Sequence, residues 1–322
     1  MNRQLALELA RVTELAAISA GRLMGKGDKI AADDAAVKAM RAMFDTVDID
    51  GTVVIGEGEM DEAPMLYIGE RVGSGKGGAV DIAVDPLEGT NLVAKGQPNA
   101  IAVLAVAPKG CLLHAPDMYM EKICVGPAGK GKISLEASVK ENLTALAEGK
   151  NCKISDLTVV ILDRPRHQDI IRDVRDAGAR CKLITDGDVA PAVAAALENT
   201  GVDMLIGKGG APEGVLAAAA LKCLGGDMQA RLVPDDDKQL ERCKAMGLKD
   251  PQMVLTLDDL VKGDDVVFAA TGITDGESLT GVRYFGGGAH THTLVMRSKT
   301  GTIRFINATH FLDKKPLIKD FF

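Results

Sequence analysis

The sequence predicts an α/β fold with α+β elements, and three observations carry that expectation. Short strand-type runs follow Gly51, strand–helix alternation dominates residues 157–224, and hairpin-type alternation returns after residue 266. The change of rhythm near residue 150 divides the chain into an α+β unit over 1–155 and a three-layer α/β unit over 156–257. The strands of 258–322 are expected to rejoin the first unit.

From residue 2 to about 44 the pattern is helical, broken at Gly25-Lys26-Gly27-Asp28. Leu5, Leu7, Leu9, Val12, Leu15 and Ala16 give one apolar stripe, though not a strict one, and Ala36, Val37, Met40 and Phe44 another. Strand-type runs then cover 52–55, 65–68, 79–84, 101–106 and 119–125, with Gly and Pro between them. A helical stretch at 135–148 leads into strand 157–162, helix 168–177, strand 181–184, helix 189–197, strand 204–206 and helix 214–224. Largely apolar strands between helices predict a mostly parallel sheet. The runs 266–270, 291–296 and 302–306 alternate as antiparallel strands do, with Lys299-Thr300-Gly301 as a turn.

Composition narrows the function. Of 322 residues, 46% are apolar and 26% charged, which fits a globular protein and excludes disorder and collagen-like repeats. No apolar run approaches the roughly 20 residues of a membrane span. Glu8 and Glu14 interrupt the N-terminal apolar pattern, which reads as an amphipathic helix and not as a signal peptide. A net charge of −7 with no Trp argues against nucleic acid as a partner. Six cysteines without a C-x-x-C pair give no zinc ribbon, and they read as free thiols of a cytoplasmic protein.

The densest chemical signal is Asp85-Pro86-Leu87-Glu88-Gly89-Thr90-Asn91, at the end of an apolar run. Two carboxylates three residues apart, with the Leu87 carbonyl, can face one hard cation around a turn, a set that suits Mg²⁺ or Mn²⁺ better than zinc. The residues that follow can open a helix whose N–H groups and Thr90 hydroxyl receive a phosphate. The plainer alternative makes Asp85 an N-cap and Glu88 a first-turn acid. More acids stand at other element ends: Asp33-Asp34, the cluster Glu57-Gly58-Glu59-Met60-Asp61-Glu62, and Glu213 in Gly209-Gly210-Ala211-Pro212-Glu213-Gly214. Carboxylates that share a site need cations to neutralise them.

The run DPLEGTN resembles the D-P-[IL]-[DE]-G-[ST] signature of the lithium-sensitive, metal-dependent sugar and inositol phosphatases. GEGEMDEAPML resembles that superfamily's upstream glutamate motif, and GAPEG its downstream acidic motif. With KIAAD, DRPRH and TDGD, the ordered set resembles the class II fructose-1,6-bisphosphatases over nearly the whole chain.

That resemblance implies a sugar-phosphatase fold, a layered α-β-α-β-α sandwich. It implies hydrolysis of the 1-phosphate of fructose 1,6-bisphosphate in gluconeogenesis by a two-metal in-line mechanism. Carried over by position, Asp33 and Glu57 hold one divalent ion; Asp85, Glu88 and Glu213 hold the second, with Mn²⁺ ahead of Mg²⁺. Thr90 orients and helps deprotonate the attacking water, and Asp61 is a base or an outer partner. Glu88, Gly89, Thr90, Tyr119, Arg164, Pro165, Arg166, Asp186, Gly187, Asp188 and Gly210 bind the sugar phosphate. A homo-oligomer, dimer or tetramer, is implied as well.

The neighbouring readings are a phosphatase for sedoheptulose 1,7-bisphosphate or inositol phosphate, and, from another class, a non-catalytic phosphosugar-binding regulator. The Arg164/Arg166 pair favours a bisphosphate, because a monophosphate leaves it unused. A pure binder has no need of a water-activating Thr90. The glycine runs 73–78 and 207–210 lack the Ser/Thr of a Walker loop, so the first reads as a hairpin turn. His290 and His292 share a strand face and read as ordinary partly buried histidines, and the acids 235–237 read as a helix cap.

Overall fold

The computed structural model describes residues 1–58, 63–245, 248, 250 and 252–315. It divides into two compact units, Met1–Leu112 with Gly263–Phe322, and Leu113–Lys262. The chain therefore passes into its second unit earlier than residue 155.

The first unit begins with α1 (Leu5–Gly21) and α2 (Lys29–Phe44), followed by β1 (Asp50–Ile55), β2 (Arg71–Val72), β3 (Ala79–Glu88), α3 (Thr90–Lys95) and β4 (Ile101–Pro108). Asp28 caps α2 by accepting from the Ala31 N–H at 2.9 Å. The run 65–68 is not a strand. Leu66 has φ 55 and the segment is a loop, its carbonyl accepting from the Glu57 N–H. Nor is 73–78 a hairpin turn. β2 and β3 lie on opposite sides of β1, antiparallel and parallel to it, so the loop between them passes around the start of β1.

The second unit holds β5 (Tyr119–Val125), α4 (Val139–Lys150), β6 (Thr158–Leu162), α5 (Gln168–Asp176), β7 (Arg180–Ile184), α6 (Val189–Ala194), β8 (Met204–Gly210), α7 (Ala211–Leu224), β9 (Asp227–Val233), α8 (Asp237–Ala245), β10 (Leu255–Thr256) and α9 (Leu257–Leu260). α4 starts four residues later than its apolar pattern suggests, because Ser138 and Glu141 form a capping box there. Asp236 accepts from the Gln239 N–H, so the acidic run does serve the start of α8. The strand order is β10-β9-β5-β8-β6-β7. Only β8, β6 and β7 run parallel, while β5 pairs antiparallel with both β8 and β9. The three strands that carried the parallel expectation, β6, β7 and β8, do run parallel, but the sheet as a whole is mixed because β5, earlier in the chain, is inserted between β8 and β9. Helices cover both faces: α4 and α5 pack on Ile123, Val125, Val159 and Ile161, while α7 lies over Met120.

The chain then returns to the first unit as β11 (Val267–Gly272), β12 (Arg283–Phe285), β13 (Gly288–Arg297) and β14 (Thr302–Phe311). The described strands of this sheet follow the order β12-β13-β11-β4-β3-β1-β2, with β14 along the other edge of β13. Only β1 and β3 are parallel neighbours. α1 and α2 cover one face, burying Leu9, Val12, Ile18, Met40 and Phe44 against Ile82, Leu104, Ala269 and Val295. In β13, His290 faces the Thr309 hydroxyl, and His292 Nδ1 accepts from the Thr280 N–H.

A buried polar seam docks α1 on this sheet. Thr13, Thr271 and Thr293 link their hydroxyls in sequence, and Glu14 beside them reaches Thr293. His310, 3.9 Å from Glu14, is held by Thr291 and Lys315. Burial pushes Glu14 up to about 7, against the pull of Lys315, the Thr293 hydrogen bond and Arg11. Between the ordinary value of 4.5 and about 7, the folded chain holds a proton that the unfolded chain has released. Stability from this group is therefore complete below pH 4.5 and is lost as pH rises through 7. Against Glu14→Gln, the wild type should lose about 3 kcal/mol of relative stability between pH 4.5 and 8. Urea denaturation at a series of pH values measures the difference, and a pH-independent gap would refute the assignment.

Candidate active site

In the first unit, the carboxylates come from a helix and two strand ends. Asp33 stands in the second turn of α2. Glu57 follows β1 after Gly56, where a Cβ would lie 2.0 Å from the Leu66 carbonyl oxygen, so only glycine admits that close approach. Burial, and then the charge of Asp33, push Glu57 up to about 7. Burial, and then Asp34, raise Asp33 as well. Two neighbouring carboxylates that hold protons this readily also fit a hard cation, which neutralises them in the same way. Asp61 lies outside the described residues.

Asp85 and Glu88 belong to β3 itself and not to a turn after it. β3 advances by three residues, from Asp85 to Glu88, where β4 moves by two, from Val103 to Ile101. This bulge brings one carboxylate oxygen of each side chain within 4.8 Å of the other. Pro86 takes part without an N–H to lose, and Asp85 Oδ1 accepts from the Leu87 N–H at 3.1 Å. Asp85 is not the helix cap, since Gly89, at φ 90, occupies that position. α3 has only six residues, and the Leu92 and Val93 N–H groups bond back to the Gly89 carbonyl. The helix start therefore offers less to a phosphate than its sequence suggests. Thr90 is the first helical residue and is half-buried.

In the second unit, the residues ascribed to the sugar phosphate gather at one end of the sheet. Arg164, Pro165 and Arg166 follow β6. The Arg164 guanidinium donates to the carbonyls of Asp163 and Thr185, and Arg166 donates through Nε and Nη2 to the carbonyl of Lys208. Arg166 also lies 4.7 Å over the ring of Tyr119, which has the Lys208 ammonium 5.0 Å from its centre. His167 is buried between the Leu162 carbonyl at 2.7 Å and the Lys208 N–H at 2.8 Å. Nε2 accepts there, so Nδ1 carries the proton. Burial and the two arginines hold this imidazole below its ordinary range, and it stays neutral.

Gly187, at φ 72, turns the chain between Asp186 and Asp188 after β7. Asp188 makes no cap for α6. It points to the ammonium of Lys122, 2.7 Å away, and Lys122 is 1% exposed. Lys122 also donates to the Gly210 carbonyl at 3.0 Å. Burial works to lower its pKa, but the charges of Asp188 and Glu213 prevail and raise it. Glu213 opens α7 and is pushed up by burial first and by Asp188 second. Among the described residues, Glu213 Oε2 and Asp188 Oδ1 are buried side-chain oxygens without a hydrogen-bond partner. An orphaned buried carboxylate oxygen fits the cation ligand that the resemblance makes of Glu213.

Sequence reasoning missed Lys122, His167 and Lys208. The signal for the first was present, a lone lysine next to the apolar run Ile123-Cys124-Val125 in a strand-type segment.

Residues 3–310 match the family model described as bacterial fructose-1,6-bisphosphatase, glpX-encoded. The chain is 51% identical, over 98% of its own length and 97% of theirs, to fructose-1,6-bisphosphatase 1 class 2 of Escherichia coli K12 and to fructose-1,6-bisphosphatase class 2 of Shigella flexneri. The carboxylates at the strand ends and the anchored arginines thus stand in a chain that belongs to the class 2, glpX-type family of bacterial fructose-1,6-bisphosphatases.

Proposed function

We propose that this chain hydrolyses the 1-phosphate of D-fructose 1,6-bisphosphate to fructose 6-phosphate and inorganic phosphate, as a cytoplasmic homo-oligomer serving gluconeogenesis. The observation that carries the reading is the bulge in β3, which pairs Asp85 with Glu88 and sets Thr90 two residues further on. Asp33 and Glu57 hold one divalent ion in this reading. Asp85, Glu88 and, by resemblance, Glu213 hold the other. Mn²⁺ or Mg²⁺ would neutralise these carboxylates and stabilise the attacking and leaving oxygens of an in-line displacement.

The remaining chemistry belongs to the chain's own groups. The Thr90 hydroxyl orients the attacking water and relays its proton, receiving it as its own hydroxyl proton passes to a carboxylate base, for which Asp61 is the candidate. Arg164 and Arg166 hold the distal phosphate. Both are anchored through carbonyl oxygens, so their charge is positioned without being cancelled. Asp188 Oδ1 and the carboxylate of Asp186 accept from sugar hydroxyls, next to the turn at Gly187. Sedoheptulose 1,7-bisphosphate carries the same pair of phosphates and is the nearest second substrate.

Exhaustive chelation should abolish phosphate release from fructose 1,6-bisphosphate, and added Mn²⁺ or Mg²⁺ should restore it. Full turnover in chelator would overturn the cation assignment. Arg166→Ala should raise KM by about one to two decades and lower kcat much less, because a distal phosphate is held alike in ground and transition states. An unchanged KM would place that phosphate elsewhere.

Thr90→Ala separates catalysis from binding. It should lower kcat by ~10²–10⁴-fold while product binding, followed by calorimetry with fructose 6-phosphate, survives. Thr90→Ser should retain measurable turnover. A Thr90→Ala enzyme with near-normal kcat would pass the proton to another group, with Asp61 first in line.

A further inference from the structure

Lys122 lies on β5, an interior strand of the second unit, and exposes 1% of its surface. A buried ammonium is costly unless its protons are met by acceptors. Here Nζ finds Asp188 Oδ2 at 2.7 Å and the Gly210 carbonyl at 3.0 Å. Both acceptors belong to residues ascribed to the sugar phosphate. The backbone makes room for the pair at Gly209, where a Cβ would lie 2.1 Å from Asp188 Oδ2 and 3.1 Å from Lys122 Cε. With Oδ2 held by the ammonium, Oδ1 is left buried and without a partner among the described residues.

We infer that Lys122 is a positioning residue for substrate. It clamps Asp188 by one oxygen, so that the other is presented as a fixed acceptor for a sugar hydroxyl, and it fixes the Gly210 peptide at the end of β8. The clamp also prevents the loop after β7 from relaxing toward solvent, since a rotation of Asp188 would strand the ammonium. The inference rests on the reading that Asp188 and Gly210 contact the sugar phosphate.

The test is a double-mutant cycle in steady-state hydrolysis of fructose 1,6-bisphosphate at saturating Mn²⁺, using Lys122→Met, Asp188→Asn and the double variant. Loss of an aligned, charge-assisted acceptor should raise KM by roughly ten- to a hundredfold in each single variant, with kcat falling less. The double variant should be no worse than Asp188→Asn, because both changes remove the same contact. A merely structural lysine would lower the melting temperature and the active fraction and leave KM alone.

A folded Lys122→Met enzyme with wild-type KM, or effects that multiply in the double variant, would overturn the inference. An Asp188→Asn enzyme with wild-type KM would instead overturn the substrate assignment on which it rests. Should Lys122→Met not fold, Gly209→Ala asks the same question with every charge in place. Its methyl group displaces Asp188 Oδ2 and should raise KM comparably; an unchanged KM there refutes the clamp.

Discussion

Buried negative charge in excess of buried positive charge is the constraint on which the rest of this structure depends. In the second unit, Lys122 feels the charge of two carboxylates, Asp188 and Glu213, and its ammonium lies 2.7 Å from the first. In the first unit, Glu57 is pushed up to about 7 by burial and then by the charge of Asp33, and Asp33 is itself raised from its ordinary value by burial and then by Asp34. Such charge persists in a fold only if a proton or a cation meets it. A protein built for binding alone could have replaced these acids with amides. Keeping them ionisable makes sense where a hard cation must be held beside a phosphate dianion, which would otherwise be repelled.

The backbone pays for that arrangement at particular positions. β8 ends in Gly207-Lys208-Gly209-Gly210, of which the resemblance gives a role to Gly210 alone. Each bare position is matched by an ionisable side chain. A Cβ at Gly207 would lie 3.1 Å from the His167 ring, one at Gly209 2.1 Å from Asp188, and one at Gly210 1.9 Å from Glu213. The bulge in β3 works by the same logic. Its extra residue places Asp85 and Glu88 together without a separate turn. Both devices let polar groups lie flat against strand ends, where main-chain hydrogen bonding keeps the geometry rigid.

Much of this was legible in the sequence, and the reasons are local. Apolar runs such as 101–106 and 157–162 mark strands because they are buried on both faces, and Asp85-Pro86-Leu87-Glu88-Gly89-Thr90 is dense enough to mark a site on its own. What was hidden is non-local. Nothing in residues 119–125 says that they insert between β8 and β9, so the unit boundary and the parallel-sheet expectation both failed on that one strand. The run 65–68 has strand composition, but Leu66 takes a positive φ to close the loop over Gly56. The pattern of Lys122 was visible, whereas its partners, 66 and 88 residues away in Asp188 and Gly210, were not.

The arginines show how the same economy reaches specificity. An arginine paired to a carboxylate is well placed but electrically spent, and a solvated one is charged but unplaced. Arg164 and Arg166 escape that choice by bonding main-chain carbonyls, which orient a guanidinium and leave its full charge to act. The carbonyl that holds Arg166 is that of Lys208, whose own N–H is held by neutral His167. Were His167 protonated, Nε2 would become a donor facing another donor, and the support of Arg166 would loosen. Burial and the two arginine charges hold the imidazole below its ordinary range, so the arginines also protect the unprotonated ring that positions one of them.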